Sequence, residues 1–408
     1  MKTDKVYELN GLNRDIPKSI EVALLKMYGA DSINNLSNED RERINKTINS
    51  IFSSIEKKEY HNIAKEYALY YLPLNMYKVW RPLVDLLEKG QIRSSATFLE
   101  LGCGPGSISF GVFEFYKILA QENKDITFNI KYTVVEQENC FLEVFDSLFE
   151  KYLNDLPKYL NIDLLKKNMS VTSFLEVNQS KFDYILEGNI LNPNERIDKL
   201  THNEFINKVM NLLKNNSSFI LIEPAQEDLS SVLKNIKCYL VDNGFSIYSP
   251  CMCKGKVCNQ FVCSSILINN IMLINDLYSK RIIDRRVYKE RHFFEYLVVR
   301  NDTLTKYDAI NNKISLLYLN NHIGETINFK AYIIGIRQYE DSISIKICDG
   351  SLINGKGVYF NIFSSRSMDN QMDVSRFGRG GLLKVKRAKI MKYNVIENQL
   401  DTEIIMEI

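Results

Sequence analysis

The segment FLELGCGPGS, residues 98–107, constrains the fold of this chain more than any other stretch. An apolar run suited to a buried strand reaches Glu100 and Leu101. Gly102, Gly104 and Gly106 follow, and the helix-competent stretch SISFGVFEFYKILAQ begins at once. Glycines there allow a tight turn and let a ligand approach the backbone, while a helix start offers unpaired N–H groups. Such a turn opens a βαβ unit, and the sequence beyond it keeps the rhythm. The apolar runs NIKYTVVE, FDYILEG, SSFILIEP and FSIYSP alternate with amphipathic stretches at NCFLEVFDSLFEKYL, 201–214 and 228–243. Strands alternating with helices of this length predict an α/β fold, a doubly wound Rossmann-like parallel sheet.

The flanks read differently, and 408 residues exceed one ordinary domain. Residues 1–91 predict a helical N-terminal region, with apolar residues three and four apart. Ser37 followed by Asp40 reads as a helix start. Pro73 and Pro82 make YLPLNMYKVWRPLVDLLEKG two short helices meeting at a bend. The sheet domain is placed at 92–275. A connecting segment, 276–321, holds the basic helix-like stretch SKRIIDRRVYKER and the strand FFEYLVVR. From 322 to 408, five strand candidates and no long helix predict a small β-barrel, with the oligonucleotide-binding (OB) barrel as leading candidate.

Charge bears on partners only locally. Lys+Arg 52 against Asp+Glu 50 gives +2, which excludes a global basic field. Between Arg376 and Lys392, however, stand seven basic residues (Arg376, Arg379, Lys384, Lys386, Arg387, Lys389 and Lys392) and no acid. Tyr332, Tyr359, Phe360 and Phe363 lie on nearby strand candidates. Basic side chains that track phosphates, beside aromatics that stack bases, suit single-stranded RNA; a solvated basic face is the plain alternative. The basic residues between Lys280 and Arg291 read either as an extension of that surface or as an exposed helix face. No apolar run reaches the roughly 18 residues of a membrane span. The N-terminus lacks an apolar secretory core, so the expectation is a cytoplasmic protein without membrane contact.

The chemistry of the glycine loop follows from its neighbours. No Lys-Ser/Thr ending is present, which argues against a phosphate-gripping loop. Glu100 before the turn suits a cationic ligand better than a pyrophosphate. The second strand, YTVVE, ends on Glu136, where a carboxylate accepts hydrogen bonds from ribose hydroxyls. In these residues the chain resembles the class I S-adenosylmethionine-dependent methyltransferases: ELGCGPG matches their first motif, and Glu136 stands where their ribose-binding acid is expected. The resemblance implies that Gly102, Gly104 and Gly106 line the methionine and ribose moieties, with Glu100 near the donor's amino end. FDYILEGNILN, 182–192, falls where these enzymes face the substrate. Asp183 is read as positioning that strand, and Glu187 and Asn189 as candidate catalytic residues or plain strand terminators. The Asn/Asp-Pro-Pro-aromatic signature of many base-amine methyltransferases is missing.

Four of the eight cysteines, Cys251, Cys253, Cys258 and Cys263, are spaced C-x-C-x4-C-x4-C. Thiolates so close, in a reducing compartment, suit zinc or an iron–sulfur cluster; scattered thiols or a cysteine nucleophile are the alternatives. A second resemblance enters here. EYALYYLPLNMYKVW, ELGCGPG, FILIEP and the Pro-Cys that opens the cluster look like the methyltransferase-like proteins associated with the small subunit of the mitochondrial ribosome. The family's usual His after the first Pro-Cys is Cys253 here, and its Trp-Cys-His is Val262-Cys263-Ser264. That resemblance implies an iron–sulfur cluster (4Fe–4S, with zinc as alternative) and action on small-subunit rRNA or assembling ribosomal particles. The expectation is therefore an S-adenosylmethionine-dependent RNA methyltransferase. The alternatives are a non-catalytic small-subunit assembly factor that keeps the fold, or a methyltransferase for a protein or small molecule.

Overall fold

The computed structural model describes residues 1–3, 15–53, 60–191, 196–197, 199–250, 264–306, 325–338, 342–348, 352–353, 356–357, 360–365, 382–394 and 399–404. The chain divides into two units, residues 1–223 with 267–294, and 224–266 with 295–408.

Among the described residues the first unit opens with the α-helices α1 (Lys18–Lys26), α2 (Asn38–Ser53), α3 (Ala64–Met76) and α4 (Trp80–Leu87). Ser37 caps α2 as expected, its Oγ accepting from the Asp40 amide at 3.0 Å. Pro73 does not end a helix: it sits inside α3. An interior proline costs about 3 kcal/mol. In α3, however, ten of thirteen residues are buried, including Leu69, Leu72 and Leu74, and each buried leucine returns about 1.5–3 kcal/mol.

The core alternates β1 (Ser95–Leu101), α5 (Ser107–Glu122), β2 (Phe128–Glu136), α6 (Asn139–Tyr152), β3 (Leu160–Asn168), α7 (Val171–Val177), β4 (Phe182–Gly188), α8 (His202–Asn211) and β5 (Leu213–Pro224). The strand order is β3-β2-β1-β4-β5, and every neighbouring pair is parallel. This is the 3-2-1-4-5 order of a doubly wound sheet, whose ligand crevice opens at the carboxyl ends where the order reverses, between β1 and β4. β1 is buried on both faces; Phe98 stacks between Tyr132 (centroids 5.4 Å apart) and Tyr184 (4.6 Å). Helix α5 is buried from Ser107 through Tyr116. Gly111 lets it approach α3 so closely that a Cβ would stand 2.0 Å from the Met76 carbonyl oxygen, and Trp80 Nε1 donates to the Gly111 carbonyl at 2.8 Å.

Two local expectations change here. Strand β3 lacked a sequence signal because it is an outer strand with much of its length exposed; LNIDLLKKN mixes lysines and asparagines with leucines, and Leu165 is 51% exposed. The basic stretch 280–291 is no helix. The helix Met272–Ser279 ends as Arg281 takes a left-handed φ of 58°, and the turn drives Ile282 and Ile283 inward to 2% exposure each. Two buried isoleucines in succession outweigh the continuation of an exposed helix.

The second unit contains α9 (Glu227–Asp242), β6 (Ser246–Ser249) and, from Glu295 onward, β7 (Arg291–Arg300), with β6 and β7 antiparallel. It also contains β8 (Thr326–Gln338), β9 (Ser342–Cys348), β10 (Phe360–Ser365), β11 (Leu382–Asn394) and β12 (Gln399–Ile404). These five close into a barrel in the order β8-β9-β10-β12-β11, in which β10 and β12 are parallel. All five strand candidates at the C-terminus therefore form strands. No helix among the described residues is long and apolar enough to cross a membrane.

Candidate functional site

Parallel registers bring the ends of β1, β2 and β4 to one level: Leu101 pairs with Val135 on one side and Glu187 on the other. A cavity of about 440 Å³ opens there, lined by Glu100, Gly102, Gly104 and Glu136. Three glycines of the loop hold positive φ values, 67° at Gly102, 53° at Gly104 and 93° at Gly106. The Gly102 amide donates to the Val135 carbonyl at 2.8 Å, which ties the turn to the end of β2. Gly102 and Gly104 face the cavity. Gly106 is the residue before α5, and a Cβ on it would come within 2.5 Å of the Phe145 ring, so its bareness serves helix packing.

Glu136 is wired into the loop. Its Oε2 accepts from the Gly104 amide at 2.8 Å and its Oε1 from the Glu138 amide at 3.0 Å. Burial raises its pKa, and those backbone donors partly offset the rise. Glu100 is 2% exposed. Its Oε2 accepts from Ser109 Oγ at 2.5 Å and from the Tyr132 hydroxyl at 2.6 Å, yet burial pushes its pKa up to about 7. A carboxyl near neutrality at the back of a cavity is poised to ionise when a cation enters. Cys103, between the glycines, is buried with its thiol pKa raised by burial, so it stays protonated.

The sequence reading missed the opposite wall. Tyr67 of α3 and Phe141 of α6 line the cavity with ring centroids 5.1 Å apart, and Asn75 lines it too. An aromatic three residues into the helix after Glu136 was the available signal for Phe141; nothing local marks Tyr67. Of the two catalytic candidates, Asn189 lines the cavity at a left-handed φ of 61°, its amide donating to the Ile222 carbonyl at 3.0 Å. Glu187 is wholly buried, its Oε1 accepting from the Ile190 amide at 3.1 Å.

Asp183 stands at the other end of β4 and positions that strand. Its Oδ2 accepts from the Thr97 amide, the Thr97 hydroxyl and Lys214 Nζ, each at 2.8 Å, and Arg93 pairs with Oδ1. Burial alone would raise its pKa; the bonds from Lys214 and Thr97 and the Arg93 charge lower it.

Cys251, Cys253, Cys258 and Cys263, like Arg376 and Arg379, lie outside the described residues. Lys384, Lys386 and Arg387 lie on β11, where Lys384 registers with Lys330 of β8. Among the described residues no group of His, Cys, Asp and Glu is arranged to hold a metal ion. Cys103 and Cys348 are buried, and Cys140 and Cys238 are half-buried.

The first unit is thus a doubly wound α/β protein with a carboxylate-backed ligand cavity at its switch point. No known family and no curated protein matches the sequence. Solved structures similar to the chain include several methyltransferases. The plantazolicin methyltransferase BamL covers 64% of this chain with 97% of its own, at 11% identity and a TM-score of 0.36. A class I S-adenosylmethionine-dependent methyltransferase assigned in Listeria monocytogenes covers 71% with 83% of its own, at 11% identity and 0.33. A methyltransferase from Pyrococcus furiosus covers 53% with 80% of its own, at 16% identity and 0.30.

Proposed function

We propose that the protein is an S-adenosylmethionine-dependent methyltransferase acting on RNA, with small-subunit rRNA or an assembling ribosomal particle as its substrate. One observation carries the donor assignment: Glu100 and Glu136, on adjacent strands, line a single cavity with Gly102 and Gly104. Glu136 would accept hydrogen bonds from the donor's ribose hydroxyls, and Glu100 would answer its ammonium group. Tyr67 and Phe141 supply an apolar wall. Asn189, the residue after β4, lines the same cavity, and the resemblance implies that this segment faces the substrate. Holding the acceptor in line with the donor methyl supplies most of the rate for a displacement at a carbon already activated by its sulfonium.

RNA is supported by the second unit. Its five strands run 1-2-3-5-4 around the barrel with the third and fifth parallel, a Greek-key closure that suits an OB barrel. The seven basic residues between Arg376 and Lys392 fall in and before its β11 in the sequence. The cysteine spacing at 251–263 supports an iron–sulfur cluster there, and a colourless protein that contains zinc would overturn that part.

The test is S-adenosylhomocysteine binding by calorimetry, followed by transfer of labelled methyl to small ribosomal subunits from a strain lacking the gene. Binding with transfer to rRNA supports the reading. Binding without transfer favours the assembly factor, transfer to protein refutes the RNA acceptor, and no binding refutes the donor site.

A further inference from the structure

Beneath the cavity wall lies a pair of carboxyl groups with no role in holding the donor. Glu187 ends β4 and Glu223 ends the neighbouring β5; both are at 0% exposure. Each uses Oε1 on the chain that leaves β4. Glu187 accepts from the Ile190 amide at 3.1 Å, and Glu223 accepts from the Leu191 amide at 3.0 Å. The Oε2 atoms of both have no hydrogen-bond partner among the described residues, and each carboxyl perturbs the other's titration. Two carboxyl groups buried at the ends of adjacent strands and holding successive amides cannot both ionise cheaply, and one proton between them removes that cost.

The segment they hold is the wall itself. Gly188, Asn189 and Ile190 line the cavity, and Ile190 packs onto the glycine loop so tightly that a Cβ at Gly102 would lie 2.5 Å from its Cγ2. The wall's shape therefore depends on two acceptors that stay together only while protonated once. We propose that Glu187 and Glu223 share one proton as a latch on Gly188–Leu191, and that losing this proton loosens the wall and weakens donor binding.

The surroundings fit a latch closed at neutral pH. Burial raises both carboxyls above the ordinary carboxylate range, and the Glu187 charge raises Glu223 as well. Lys78, 6% exposed, faces Glu223 and is lowered to about 8 by burial. His292, held near 4 by burial and by the Lys78 charge, is neutral and bonded to the Lys289 backbone. One shared proton and a charged Lys78 make the cluster neutral overall. Rising pH strips a proton from the pair or from Lys78 and leaves an uncompensated negative charge in a fully buried site. Both glutamates are positioning residues, since neither lines the cavity.

The affinity arm of the test rests on the methyl-donor reading. S-adenosylhomocysteine affinity is measured between about pH 7 and pH 9 for wild type, Glu223→Gln and Glu187→Gln. A glutamine keeps an oxygen for the wall amide and donates an N–H to the remaining carboxylate, with no proton to lose. Wild-type affinity should fall about tenfold more across this range than that of either variant, roughly 1.4 kcal/mol. Superimposable profiles overturn the latch. Failure of the wild type to bind at any pH overturns the donor reading instead. The latch is then judged on hydrogen exchange of the Ile190 and Leu191 amides. Their protection must drop with pH in wild type and hold in a glutamine variant; equal protection overturns it. If neither glutamine variant folds, wild-type protection decides alone.

Discussion

Gly111→Ala sets two physical effects of opposite sign against each other. In an isolated helix the change stabilises by about 1 kcal/mol, because alanine loses less backbone freedom than glycine. Here the new Cβ would stand 2.0 Å from the Met76 carbonyl oxygen and 2.7 Å from Val79 Cγ1, where ordinary contact begins at 3.4 Å. A backbone carbonyl cannot rotate away as a side-chain tip can, so α5 and α3 must separate. Overpacking of that kind costs about 1–3 kcal/mol. Separation also stretches the 2.8 Å bond from Trp80 Nε1 to the Gly111 carbonyl, and a buried bond left unmade costs about 1–3 kcal/mol more. The net expectation is destabilisation by about 3 kcal/mol. The melting temperature of the first unit should fall by roughly 6–12 °C. Trp80 is the only tryptophan in the chain, so urea unfolding followed by tryptophan fluorescence reads this junction directly. A Gly111→Ala protein as stable as wild type, or more stable, would refute the close packing of α5 on α3.

Glu100→Gln removes a group that must be neutralised to stay buried. The folded pKa of about 7 lies above the ordinary 4.5, so this group's penalty is absent below 4.5 and grows as pH rises through 7. By about pH 8 the variant's stability relative to wild type should have improved by about 3 kcal/mol over its value near pH 4.5, while its donor affinity falls; a pH-independent difference in urea midpoints would sink the assignment. Glu136→Ala leaves the Gly104 and Glu138 amides without their acceptor, and S-adenosylhomocysteine binding by calorimetry should weaken by roughly 10- to 100-fold. Asp183→Asn should destabilise by about 1–3 kcal/mol without altering donor affinity once folded, because the residue lies at the far end of β4. Its folded pKa is depressed, so the stability it contributes is present above the ordinary 3.8 and lost as pH falls below it; thermal melts of wild type and variant should converge in acid.

What the sequence revealed and what it hid divide along physical lines. The glycine loop was legible because positive φ at Gly102, Gly104 and Gly106 leaves little choice of residue. Glu100 and Glu136 were legible because a strand running into such a loop fixes where its last side chains stand. Strand β3 was hidden because an outer strand needs no continuous apolar run, and Pro73 misled because burial of α3 outweighs its intrinsic cost. Tyr67, Asn75, Lys78 and Glu223 were hidden for another reason. Each lies far along the chain from the loop, and parallel registration and helix packing alone bring them there. Glu223 stood in plain view inside FILIEP, but its meaning came only with Glu187 beside it.

Burial is the common cause behind the site's carboxyl groups, and it works differently at each. Glu100 and Glu136 line the cavity, so an entering cation can restore the ionised form that burial disfavours. Glu187 and Glu223 are sealed below the wall, where the Ile190 and Leu191 amides, the proposed shared proton and the Lys78 charge answer them. On the proposed reading, a donor that arrives as a cation and leaves without its sulfonium charge couples to the first pair. It feels the second pair only through the shape of the Asn189–Leu191 wall. Replacing a lining carboxyl should therefore change how tightly the charged and uncharged forms are distinguished, whereas replacing a latch carboxyl should shift both together.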